Sequence, residues 1–168
     1  MPISMHAMSV AIFAKTLRNV SVILEKAEAF AAAKKFDPAV LVNMRLAPDM
    51  FPLVTQVRVA CDFAKGATAR LAGEEPPKWE DNETSFADLR ARIARTLEFI
   101  QSFEPSRFDD AAERAITVTM RGEPVHYVGL PYLAHVVLPN FFFHMTTAYD
   151  ILRHAGVELG KRDFIGKV

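Results

Sequence analysis

The sequence predicts an all-α fold, an antiparallel four-helix bundle with a small β-hairpin before the last helix, and three observations lead there. Four long stretches repeat apolar residues at helical spacing. Proline or glycine closes each of them. The only β-branched, alternating stretch is short, and one isolated hairpin cannot organise a whole core. With 168 residues, 51% of them apolar, the chain has material for a single domain spanning residues 1–168 around one continuous core.

The first helix is expected from about Ser4 to Lys34, where Met8, Ile12, Leu17, Val20, Leu24, Ala27 and Ala31 share one face. Phe36-Asp37-Pro38 interrupts it, and Asp37 is placed to cap a short turn over Pro38 to Asn43. The second helix is expected to begin near Pro48 or Asp49, with Pro52 in its first turn, and to run to Leu71 before Gly73 stops it. Leu53, Val57, Ala60, Ala64, Ala67 and Leu71 form its stripe, and the small residues allow a neighbouring helix to come close.

Glu74 to Glu83 holds paired prolines, charges and Trp79, and reads as a surface connection pinned by one aromatic anchor. Ser85 and Asp88 have capping-box spacing, opening a third helix whose face is Phe86, Leu89, Ile93, Leu97, Ile100 and Phe103 and which Pro105 ends. Ala115 to Met120 and Val125 to Val128 alternate as strands around a turn at Arg121-Gly122-Glu123-Pro124. The last helical region reaches Ala155, stops at Gly156, and either kinks at Pro139 or takes it into the first turn of its final helix. The remainder, Gly160 to Val168, is too long for a cap and is expected to fold back over the bundle.

The 20 basic and 20 acidic side chains cancel, so no overall field draws the chain to nucleic acid or anionic lipid. Cys61 is the only cysteine, which excludes an intramolecular disulfide. No uninterrupted apolar run of about 18 residues is present, so no membrane span is expected. Met5 to Phe13 lacks the basic lead of a secretory signal, and a cytoplasmic address is expected. Gly-rich phosphate cradles, paired-cysteine zinc frameworks and Gly-x-Ser-x-Gly elbows are absent from the sequence.

The C-terminal segment reads Pro139-Asn140-Phe141-Phe142-Phe143-His144, then Ala148-Tyr149-Asp150-Ile151-Leu152-Arg153-His154-Ala155-Gly156, then Gly160-Lys161-Arg162-Asp163-Phe164. With Ala47-Pro48-Asp49-Met50, Gln56, Ala60-Cys61-Asp62, Ala64-Lys65-Gly66 and Arg70-Leu71-Ala72-Gly73, it resembles the domain-of-unknown-function family nineteen ninety-three. That family is related to the DinB/YfiT-like superfamily, and the resemblance implies a four-helix bundle that often carries a metal on three histidines. One ligand is supplied by the second helix and two by a His-x-x-x-His pair shortly before a Leu-Arg-x-x-Gly ending. Leu152-Arg153-His154-Ala155-Gly156 matches that ending, which puts His144 on the second histidine of the pair, Asn140 on the first and Gln56 on the second-helix position.

The implied site is therefore Gln56, Asn140 and His144. Asn140 and His144 are one helical turn apart and can share a face. Neutral amides are poor donors to zinc or nickel, so no cofactor is the expectation, with zinc or nickel as the metal if one binds. Asp62 joins the pocket and orients the imidazole, or acts as a general base, if it is buried beside His144. The competing explanation for Arg58, Asp62 and Lys65 is an exposed ion-pair ladder.

For Asp150 and His154 the ordinary explanation is a surface pair, for Cys61 a packed thiol, and for His126 and His135 surface or hinge positions. Phe141, Phe142 and Phe143 put aromatic surface around more of the last helix than one core needs. This suggests a homodimer through the last helix, with the first helix as the next candidate. The preferred reading is a non-catalytic bundle with a degenerate metal site turned into a polar ligand pocket. The alternative is a metal-dependent DinB-like enzyme, a thiol-dependent transferase, isomerase or hydrolase.

Overall fold

Helices with one apolar face make up most of the computed structural model, which describes residues 4–120 and 122–167. A π-helical turn, Ala7–Ala11, leads into α1 (Ile12–Lys34), followed by α2 (Ala39–Val42), α3 (Leu53–Leu71) and α4 (Phe86–Gln101). After a 3₁₀ turn at Pro105–Phe108 come β1 (Ala115–Met120) and β2 (Glu123–Val128), an antiparallel pair in which Ile116 faces Tyr127 and Val118 faces Val125. The short α5 (Gly129–Pro131) passes through a π-helical stretch, Tyr132–Val137, into α6 (Leu138–His154), and α7 (Lys161–Ile165) closes the chain. The fold is mostly helical with one small hairpin.

The long helix α3 packs on both α4 and α6, and α1 packs on the same two helices from the other side. Leu53, Val57, Ala60, Ala64, Ala67 and Leu71 of α3 are fully buried, as the stripe predicts. Phe13, Leu17 and Leu24 of α1, Leu89 and Ile93 of α4, and Phe141, Ile151 and Leu152 of α6 meet them in one hydrophobic cluster. Each such side chain contributes about 1.5–3 kcal/mol when fully buried.

The start of the chain's first helix, the start of its second and the hairpin turn differ from the sequence expectation. On the first helix Met8 is exposed and Ile12 only half-buried, whereas Val10, Phe13 and Ala14 are buried. The wider π turn between Ala7 and Ala11 rotates the buried face away from the one that a regular α-helix would present. The second long helix begins at Leu53 rather than near Pro48, because Phe51 precedes a proline and Pro52 itself lies extended, with φ −68° and ψ 163°. The Leu53 amide bonds to the Met44 carbonyl at 2.9 Å, tying the helix start to the α2 connector.

Other punctuation follows the sequence. Asp37 accepts from the Ala39 amide at 2.9 Å. Ser85 and Asp88 form a reciprocal capping box. Gly73 and Gly156 end their helices with φ of +82° and +97°. Pro139 lies in the first turn of α6, and the π-helical stretch just before it relieves the clash that a proline ring makes with the preceding turn.

β2 already includes Glu123 and Pro124, so the turn is tighter than expected; Gly122 occupies it at φ +87°, while Arg121 lies outside the described residues. At the hairpin's exit, a Cβ on Gly129 would stand 1.7 Å from the Ala111 carbonyl oxygen, so only glycine lets the strand return close enough to bond Arg114 and Ala112. The C-terminal segment does fold back: α7 packs on α1, with Asn19 donating to the Phe164 carbonyl at 2.9 Å and Lys26 paired to Asp163 at 2.6 Å. Val168 lies outside the described residues.

One helical stretch, Ala7–Lys34, is long and apolar enough by length and composition to cross a membrane, with mean hydropathy 1.4. Half of its apolar window is buried, with Phe13, Leu17, Val20, Ile23 and Leu24 in the hydrophobic cluster, while Val22 is exposed.

Candidate functional site

Gln56 sits in the first turn of α3 on its buried face, and His144 sits on the face of α6 turned toward α3. The Gln56 Nε2 donates to the Phe51 carbonyl at 3.0 Å, which points its Oε1 at the imidazole, 2.7 Å from His144 Nδ1. With the amide oriented in this way, Nδ1 carries the proton and donates, as the hydrogen-bond network requires. His144 Nε2 is then the unprotonated nitrogen, and it makes no hydrogen bond to the protein among the described residues. Phe63 stacks near the ring, with centroids 6.1 Å apart and planes at 22°, and Phe143 meets it edge-on at 5.3 Å. Burial pulls the His144 pKa below the ordinary 6.5, so the ring is neutral at pH 7.

Asn140 does not join this hydrogen bond. Its Nδ2 turns back to the Val136 carbonyl at 2.7 Å, one turn earlier on the same helix, and the residue lines a neighbouring cleft. Asp62 lines the same cleft, but its carboxylate is 41% exposed and held by Lys65 at 2.7 Å and Arg92 at 3.0 Å. Orientation of the imidazole therefore belongs to Gln56 and not to Asp62.

The expected exposed ladder takes a different form. Arg58 leaves it for Glu83, at 2.8 Å between Nε and Oε2, and Lys65 is buried. At the centre of the charges is Arg92, its side chain 2% exposed, bonded to Asp62, Asp81, Glu83 and the Glu80 carbonyl. Trp79 lies over this cluster between Lys65 and Arg95, whose cationic groups are 4.5 and 4.2 Å from its ring centre, and meets Phe99 edge-on. Sequence reasoning missed Arg92. The signal was its place three residues after Leu89 and four before Thr96, on the buried stripe of α4.

Cys61 is fully buried, and burial pushes its thiol pKa up to about 12, so it is a packed thiol without nucleophilic character at neutral pH. His126 and His135 are exposed, the former beside Thr117 at 3.0 Å. Asp150 and His154 form no ion pair among the described residues.

The cleft is a space of about 270 Å³ between α3, the hairpin and the approach to α6. Its walls are mainly apolar, with Phe63, Val118, Met120, Val136 and the rings of Tyr127 and Tyr132, and its polar groups come from the tyrosine hydroxyls, Asp62, Arg70 and Asn140. That mixture of apolar lining and few polar groups is characteristic of small-molecule sites. A larger hollow of about 430 Å³ beside Trp79 is edged by charged residues, among them Arg92 and Glu83, paired to one another at 2.9 Å.

A tightly held transition metal fits these residues poorly. Among the described residues no three His, Cys, Asp or Glu side chains converge on a metal-sized space. Of the implied ligands, Gln56 spends its oxygen on His144 and its nitrogen on Phe51, and Asn140 offers only a neutral amide.

The fold and the site together define a helical protein of DinB-like type with an imidazole–amide pair where the two site helices meet. The family described as Domain of unknown function (DUF1993) matches residues 5–165, and the chain belongs to it. A crystal structure of a DinB family member protein from Shewanella denitrificans is similar over 97% of this chain and 92% of its own, at 44% identity and a TM-score of 0.91. No curated protein matches the chain.

The lowered His144 pKa has a sign that can be measured. Acid must protonate Nε2 between aromatic rings, so as pH falls the unfolded chain takes up the proton first. The stabilisation is complete above the unfolded value near 6.5 and is lost as pH drops through the lower folded value. Urea unfolding between about pH 5 and pH 8 is expected to show stability rising with pH, and His144→Gln is expected to flatten that slope. An identical slope in the variant contradicts the assignment.

Proposed function

We propose that this protein is a small-molecule-binding member of the DinB-like superfamily, an antiparallel four-helix bundle whose ligand site is the cleft beneath the hairpin. The observation that carries this reading is the cleft itself, apolar on most of its wall and adjoining the Gln56–His144 pair through Phe63. In this reading the inherited metal position has become a hydrogen-bonded polar pair that fixes one wall of the site. In this reading the pair positions the wall, and the nearest carboxylate, Asp62, is tied to two cations.

A second reading is favoured by one observation. The Gln56 contact to Nδ1 is the kind of outer partner that orients a metal-binding histidine, and it leaves Nε2 without a protein partner among the described residues. Under that reading the protein is a metal-dependent enzyme, and it purifies with stoichiometric zinc or nickel. Under the preferred reading neither ion binds tightly, and neither raises the melting temperature.

The cleft is tested with 3-phenylpropanol, a neutral probe, by titration calorimetry. A Kd on the order of 1 mM is expected for a ligand of this size, with Val136→Trp weakening it at least about tenfold by filling the space. Unchanged affinity in the variant, with its fold intact, places the probe elsewhere and removes this reading.

The homodimer belongs to the same proposal. Phe141 is buried against Phe13, with ring centres 4.9 Å apart, but Phe143 is 56% exposed and Phe142 36%. Phe51 and Met8 add exposed apolar surface. Light scattering at micromolar concentration is expected to give twice the chain mass, reduced to one chain by Phe143→Lys. A wild-type mass of one chain contradicts it.

A further inference from the structure

We propose that the cleft beneath the hairpin takes a small amphipathic carboxylate, with its apolar body against Phe63, Tyr127 and Tyr132 and its anionic head on Arg70. This rests on the reading of the cleft as a ligand site and specifies what enters it.

Arg70 lies in the last turn of α3, at the wall of the cleft. Its guanidinium has one hydrogen bond, from Nη1 to the Tyr132 hydroxyl at 3.2 Å, and no ion pair among the described residues. By contrast Arg58, Arg90, Arg92 and Arg107 each hold a carboxylate at 2.6 to 3.0 Å. The unpaired group is also held in place. A Cβ on Gly66 would stand 2.7 Å from Arg70 Nη1, so the glycine one turn earlier leaves the space in which the guanidinium lies. Gly66 is buried, and this position gives it a use beyond helix packing.

Tyr132 accepts from Arg70, and its own proton remains to donate. Burial raises its pKa, which keeps the hydroxyl protonated. Asp62, the carboxylate on the cleft wall, is neutralised by both Lys65 and Arg92, so it does not cancel Arg70. Glu74 and Glu75 border a separate hollow on the other side of Arg70, and Glu74 is taken by Arg107 at 2.9 Å. One guanidinium with one hydroxyl donor suits a planar monoanion, since the fork of an arginine matches a carboxylate. A phosphate dianion would need more positive charge than the cleft supplies. The apolar remainder of a space of about 270 Å³ limits the ligand to a short chain or a single ring.

The experiment compares 3-phenylpropanoate with 3-phenylpropanol by titration calorimetry on the full chain and on Arg70→Gln and Gly66→Ala. The acid is expected to bind about tenfold tighter than the alcohol, and Arg70→Gln to bring the acid's affinity down to that of the alcohol in the same variant. Gly66→Ala is expected to weaken the acid selectively by displacing the guanidinium; Arg70→Gln, which introduces no clash, decides the matter if the alanine variant does not fold. Equal affinity for acid and alcohol, or a preference that survives Arg70→Gln, overturns the carboxylate assignment and leaves the cleft standing. Failure of both probes to bind removes the cleft reading and this inference together.

Discussion

The amide of Gln56 has a donor end and an acceptor end, and the Phe51 carbonyl and the His144 ring take one each. Most of what the site can do follows from that division. A buried amide left half-satisfied is costly, so the contact locks the start of α3 to the middle of α6 and fixes which imidazole nitrogen bears hydrogen. It also withdraws Gln56 from any role as a metal donor. Gln56 instead acts as a support for the one histidine it touches.

The same helix organises two unlike surfaces. Toward α4, the charged face of α3 joins Arg58, Asp62 and Lys65 to Arg92, Glu83 and Trp79, fastening the long connection between α3 and α4. The buried Arg92 holds its surroundings through three carboxylates, and losing the buried one, Glu83, would leave its charge less well compensated in a poorly solvated place. Toward α6 and the hairpin, Phe63 and Arg70 face the cleft. Asp62 borders both surfaces, and its commitment to the first limits its use in the second. Residues chosen for chemistry by type and spacing alone are thus divided between a structural knot and a ligand wall.

Much of the framework was legible because it depends on local rules. The alanine-rich stripe of α3, the Ser85–Asp88 cap and the glycine stops follow from periodicity or backbone chemistry and stand where those rules place them, and the β-branched hairpin is present with a tighter turn. What escaped was non-local. The π turn that buries Val10 and exposes Met8 has no sequence signature of its own; at its centre lies the buried Ser9, whose hydroxyl bonds the Met5 carbonyl at 2.6 Å. The late start of α3 comes from Pro52 acting with the Met44 carbonyl, and not from Pro48. Gln56 and His144 were singled out through family resemblance, but their mutual hydrogen bond spans two helices and could not be read from spacing. Arg70 carried no motif; its significance comes from a tyrosine and a glycine that are brought beside it.

The account stands most directly on the protonation pattern of one ring. Nitrogen-detected NMR of the His144 imidazole at neutral pH measures it, with Gln56→Leu as the assignment control. The geometry requires a protonated Nδ1 and a bare Nε2 in a single tautomer. Signals showing the opposite tautomer, or an average of the two, would contradict the arrangement from which the site has been derived.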